Sequence, residues 1–124
     1  MTRRKTYEVV LHVSANDSDV ALLHVLEVCT GGVGIPVKIS ARDLAQLLGI
    51  RPVTVRRSAC HLANQGLVVM GEVRRADGGR DANSYMITTA GGAFLHSPEA
   101  SALIAAMRPI RVPSAYRVGG RFTS

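Results

Sequence analysis

The chain contains no tryptophan, only two phenylalanines and three tyrosines, and two cysteines among 124 residues. An aromatic share of 4% argues against the paired aromatic platforms on which sheet-based RNA readers stack bases. The core must therefore be aliphatic, and the 47% hydrophobic content suits one such core rather than two. Cys29 and Cys60 lie far apart without metal-type spacing, so neither a zinc site nor a disulfide is indicated. Both are expected reduced, with Cys29 in the core. His12, His24, His61 and His96 share no ligand spacing, and structural or surface roles are expected of them; no metal is predicted. No apolar run approaches the roughly 18 to 20 residues of a membrane span. The N-terminus also lacks the apolar block of a secretion signal, so a cytoplasmic protein with no membrane partner is expected. Carboxylates are scarce: nine Asp and Glu face fifteen Lys and Arg, for a net charge of +6 and a pI near 10.2. Such a balance favours an anionic partner, most simply nucleic acid.

Catalytic constellations are equally thin. The glycine groups at 31–34, 78–79, 91–92 and 119–120 lack the Lys-Ser/Thr ending of a phosphate loop and the strand-to-helix setting of a dinucleotide fold. They read as turns. Asp17 with Asp19, and Asp77 with Asp81, fall at a helix cap and a hairpin tip, where aspartate is common, and no nucleophile has a base beside it. No enzyme activity, cofactor or small-molecule ligand is predicted.

What the chain does have is concentrated in residues 40–67, SARDLAQLLGIRPVTVRRSACHLANQGL. Leu44, Leu47 and Leu48 recur at helical spacing. Ser40 with Asp43 fits a capping box, and Gly49 sits where a left-handed turn residue is needed. Pro52 falls at the first position of a second helix, which Gly66 ends. In that helix Val55, Ala59 and Leu62 share the inner face, leaving Arg51, Thr54, Arg56 and Arg57 outward or at its mouth. This is the arrangement of a helix-turn-helix, whose second helix enters the major groove.

The flanks extend the pattern. Asn16, Asp17 and Ser18 offer caps to a helix from about Asp19 to Thr30, with Val20, Leu23, Leu26 and Val28 toward the core and Gly31-Gly32 ending it. Pro36 followed by VKIS gives a short strand. Beyond Gly66, LVVMGEVRRA and NSYMITTA are strand-like runs separated by DGGRD, a hairpin with Arg74, Arg75 and Arg80 along its arm. TRRK at positions 2–5 is a basic arm, and Tyr7, Val9, Leu11 and Val13 alternate as in an added strand, a helix being the other reading there. Ser97, Pro98 and Glu99 start a C-terminal helix ahead of Arg108 and Pro109. The tail from Pro109 has arginines at 111, 117 and 121 interleaved with Tyr116 and Phe122, without periodicity, and reads as flexible.

Over about residues 18–95 the chain resembles the winged helix-turn-helix DNA-binding proteins, in particular repressors of the GntR and MarR kind. The matching residues are Leu44, Leu48, Gly49, Ile50, Thr54, Val55, Arg56, Leu62, Gly66 and Leu67, and Tyr85, Ile87 and Thr88 followed by Ala90 and Gly91 resemble the strand that leaves the wing. The expected fold is α+β, a three-helix core with a small antiparallel sheet and wing hairpin, plus an extra N-terminal strand and a C-terminal helix. Its divisions are 1–15, basic arm and strand; 16–95, the winged helix-turn-helix domain; and 96–124, C-terminal helix and tail.

The resemblance implies a sequence-specific partner of double-stranded DNA, acting as a transcriptional regulator. Arg51, Thr54, Arg56 and Arg57 would reach base edges or phosphates, Arg42 the backbone, and Arg74, Arg75 and Arg80 the neighbouring groove. Pro52 and Val53 depart from the polar or basic start usual in those repressors and can offer only apolar contact to a thymine methyl group. A homodimer through residues 98–107, with the added first strand as a further contact, suits a palindromic site. The alternatives are a plasmid or phage replication or partition protein, and a winged module or inhibitor that binds protein.

Overall fold

Asn16 starts the first helix, α1 (Asp17–Thr30), through a reciprocal capping box with Asp19. The Asp19 amide donates to Asn16 Oδ1 at 2.9 Å, and the Asn16 amide donates to Asp19 Oδ2 at 3.2 Å. These bonds satisfy two of the amides that a helix start leaves unpaired, so α1 begins two residues before the predicted Asp19. Gly31, at φ 84°, ends it with its amide on the Glu27 carbonyl. The computed structural model describes residues 15–74, 80–107 and 109–116, giving the backbone alone for 72–74, 80–83 and 115. Residues 1–14, with the expected basic arm and added strand, lie outside the described residues, as do Arg75, the DGG tip of the hairpin and residues 117–124.

Four more helices and a three-stranded antiparallel sheet surround α1: β1 (Val37–Ile39), α2 (Ala41–Leu48), α3 (Pro52–Asn64), β2 (Val68–Arg74), β3 (Arg80–Ile87), α4 (Thr89–Leu95) and α5 (Pro98–Ala106). From α1 to β3 the order is helix, strand, helix, helix, strand, strand, as predicted. The sheet runs β1-β3-β2, with Val37 opposite Tyr85 and Met70 opposite the same tyrosine. Alternation puts Val37, Ile39, Val68, Tyr85 and Ile87 on the buried face, while Lys38 and Val69 face outward. The predicted core positions Val20, Leu23 and Leu26 are buried and Val28 is half-buried, but Leu22, Val25 and Cys29 are buried as well. The reason is tertiary: α1 packs against all four other helices and the sheet, so no single stripe accounts for its burial.

Two expectations are corrected. Gly91 and Gly92 were expected to form a turn after the last strand, yet both lie inside α4. Thr88 caps this helix, accepting from the Gly91 amide at 3.0 Å and donating its hydroxyl to the Gly66 carbonyl at 2.6 Å. A Cβ on Gly91 would stand 2.1 Å from the Leu67 carbonyl oxygen, and one on Gly92 would stand 2.6 Å from Val33 Cγ1. Glycine here lets α4 pack closely on the residue before β2 and on the segment between α1 and β1, a tertiary demand that outweighs its poor helix propensity.

The second correction concerns the C-terminal segment. Residues 109–116 are not a free tail: Val112 is buried, and Ile110 and Tyr116 pack partly against the core, ending in a 3-10 turn at Ser114–Tyr116 that meets β1. Separated apolar residues, each docking on a different element, leave no periodicity to detect. The helix α5 matches its predicted start, with Ser97 Oγ accepting from the Ala100 amide, and it buries Ala100 against its own chain. No helix among the described residues is long and apolar enough to cross a membrane.

Gly91→Ala is expected to cost about 3 kcal/mol or more, because the clash is with backbone and cannot be relieved by a rotamer change. Gly71→Ala, whose Cβ would meet only Ser84 Cβ at 3.9 Å, is expected to stay within about 0.5 kcal/mol of the parent. Urea denaturation of the two variants measures the difference.

Candidate nucleic-acid interface

Helices α2 and α3 are joined across Gly49, whose φ of 71° lies in the left-handed region, and Ile50, whose amide bonds the Ala45 carbonyl. Ser40 Oγ accepts from the Asp43 amide at 3.0 Å, but only this half of the expected capping box forms. Hydrogen bonding to the Asp43 carboxylate, with lesser contributions from desolvation and carboxylate charge, holds the Tyr116 phenol above the ordinary value of about 10.

Pro52 opens α3 as predicted, and Arg51 is its N-cap residue without a side-chain cap. The Arg51 carbonyl instead takes the Thr54 and Val55 amides, at 2.9 and 3.1 Å. Inside, Val55, Ala59 and Leu62 are completely buried, so the helix cannot roll without exposing them. Val53, Arg56, Arg57, Cys60 and Asn64 consequently form an exposed stripe at helical spacing. Val53 is 45% exposed although apolar. Arg51 is exposed at the helix mouth, Arg42 is exposed on the first turn of α2, and Pro52 and Thr54 are half-buried.

The segment that builds α3 carries charge of one sign, with the Asp19 carboxylate of α1 reaching its His61. No Asp or Glu occurs between Leu44 and Gly71, and α3 has no acidic residue in its first turn. The positive end of the helix dipole therefore adds to the arginines rather than being cancelled by a carboxylate cap. Guanidinium groups on such a face can bond phosphates as bidentate partners or reach the acceptors of guanine.

The structure thus gathers Arg51, Pro52, Val53, Thr54, Arg56 and Arg57 on one helix and sets Arg42 on its neighbour. For the hairpin arginines, Arg74 and Arg80 pair across β2 and β3 at the far end of the ladder, their side chains lying outside the described residues with Arg75.

One group escaped the sequence reading. His61 Nδ1 lies 2.6 Å from Asp19 Oδ2, joining α3 to the cap of α1; the Asp19 side chain is 1% exposed and that of His61 40%. Asp19 was read as an ordinary cap residue, and a partner forty-two positions away leaves no local signal. Legible in principle was that Thr54, Arg57, His61 and Asn64 share one flank of a helix. His96 Nε2 pairs with Glu27 at 3.2 Å on the surface. Among the described residues no group of three His, Cys, Asp or Glu side chains is placed to hold a metal ion.

Comparison of the chain with protein-family models, with curated proteins and with solved structures finds no match.

Two outcomes are expected. Asp19→Ala removes a helix cap and a buried partner of His61 together, and should cost about 2 to 4 kcal/mol in thermal or urea unfolding. Because the Tyr116 phenol is raised in the folded state, its bond to Asp43 contributes stability below pH of about 10 and loses it as pH climbs through the folded value. The stability gap between wild type and Tyr116→Phe should accordingly be present at neutral pH and vanish in strong alkali.

Proposed function

We propose that this chain is a sequence-specific double-stranded DNA-binding protein of winged helix-turn-helix type, acting as a transcriptional regulator. The observation that carries the reading is the exposed arginine stripe of α3, on a helix whose opposite face is locked into the core, in a stretch without carboxylates. The α+β framework and the order of its elements support the winged-helix assignment, with β2 and β3 as the wing.

In this reading α3 enters the major groove. Arg56 and Arg57 meet base edges or the flanking phosphates, Arg51 and Thr54 act at the helix mouth, and exposed Val53 with Pro52 touches a thymine methyl group. Arg42 holds the backbone from α2, and Arg74, Arg75 and Arg80 hold the neighbouring groove. Regulation is by occupancy. Two copies would pair through α5, whose Ala102, Ala105 and Ala106 remain exposed after Ala100 is buried, and read two half-sites about one helical turn apart.

Fluorescence anisotropy of the purified protein against a random duplex pool and the DNA flanking its own gene, across a salt series, tests this directly. Tight binding to one fragment over a background that falls steeply with salt is expected; weak, equal binding to every duplex would sink the proposal. Arg56→Ala should cost about 1 to 3 kcal/mol on the preferred fragment and relax its specificity. An equal loss on all sequences would reassign Arg56 to phosphate.

A further inference from the structure

The flank of α3 that faces the start of α1 borders an open groove of about 480 Å³, to which α1 and its cap bring Asn16 and Asp19 and α3 brings Thr54, Arg57, His61 and Asn64. Resting on the reading of α3 as a DNA-facing helix, we infer that His61, oriented by Asp19, seats one DNA backbone phosphate in this groove together with Thr54 and Arg57.

The geometry begins with the carboxylate. Asp19 Oδ2 takes Nδ1 of the imidazole at 2.6 Å, while Oδ1 is buried without a hydrogen-bond partner. This contact fixes the ring plane and leaves Nε2 as the imidazole's free hydrogen-bonding atom on a side chain that is 40% exposed. Thr54, Arg57 and His61 recur at spacings of three and four along the helix, so a hydroxyl, a guanidinium and an imidazole line one flank. These are phosphate-binding groups, and none of them accepts a hydrogen bond obligatorily.

The imidazole can donate to a phosphate through Nε2 and to Asp19 through Nδ1 at the same time only when it carries both protons. Two anions, one on each side of the ring, stabilise that form, so the phosphate contact is strongest where the ring carries both protons. The charged and titratable groups that line the groove with the imidazole are Asp19 from α1 and Arg57 and Cys60 from α3 itself. Contact of this kind is to backbone, so it adds affinity and register rather than base preference.

The experiment uses the full chain and a fluorescein-labelled duplex carrying its best-bound fragment, with anisotropy measured over a salt series at about pH 6 and about pH 8. Wild-type affinity should fall several-fold between the two. His61→Asn keeps a donor near the Nδ1 position for Asp19 but withdraws the outer nitrogen. It should bind about three- to tenfold more weakly at the lower pH, evenly across sequences, with a salt slope reduced by about 1 and little further change with pH. His61→Gln, which returns a neutral donor to the outer position, should recover part of the affinity and none of the pH dependence. A purely structural His61 would leave the salt slope and the pH profile of both variants as in wild type, which overturns the inference. Arg56→Ala in the same series separates the two proposals: if it weakens binding and the His61 variants do not, only the phosphate seat falls. If wild type binds no duplex, both fall.

Discussion

Covering α1 is the constraint on which the other elements depend. Val20, Leu22, Leu23, Val25, Leu26 and Cys29 are all buried, and no one neighbour can reach so many directions of a helix. The chain answers with a sheet and α2 to α5, each lending an apolar face. With few aromatic residues to fill volume, aliphatic side chains must interdigitate at close range, and backbones must approach closely where no side chain intervenes. Gly91 against the Leu67 carbonyl is the sharpest instance. Orientation of α3 is a product of this packing: once Val55, Ala59 and Leu62 are committed to the core, its arginines have only solvent to face.

Asp19 ties this packing to the surface. One side chain completes the cap of α1 and holds His61 of α3, so the start of the central helix and the flank of the cationic helix share a single carboxylate. A buried carboxyl group with one oxygen unpartnered is expensive, and it is retained at a place where two helices must keep a fixed relation. Such couplings specify an arrangement more than they strengthen it.

Much of this framework was legible in local chemistry. Gly49, Pro52 and Gly66 punctuate the helix pair by their backbone preferences alone, and the β-branched and aromatic runs LVVMGEVRRA and NSYMITTA mark the hairpin strands without any partner. The inner face of α3 followed from spacing. Illegible were the features that depend on distant residues. The helix α4 was hidden because Gly91 and Gly92 are helical only under the pressure of packing against Leu67 and Val33. Likewise, Leu22 and Val25 of α1 fall off any single stripe, only the Ser40 half of the expected capping box at α2 forms, and Asp19 finds His61 from far along the chain. The candidate interface was read more completely than its support, since exposure on a helix obeys a period whereas a hydrogen bond between helices does not.

The docking of residues 109–116 carries an implication for the sheet. In the described order β1-β3-β2, β1 is an edge strand, and the Ser114–Tyr116 turn meets it. An exposed edge offers unpaired amides and carbonyls to any strand that comes near. The segment that buries Val112 also sets a turn beside that edge, so a packing contact doubles as a guard against pairing with another chain.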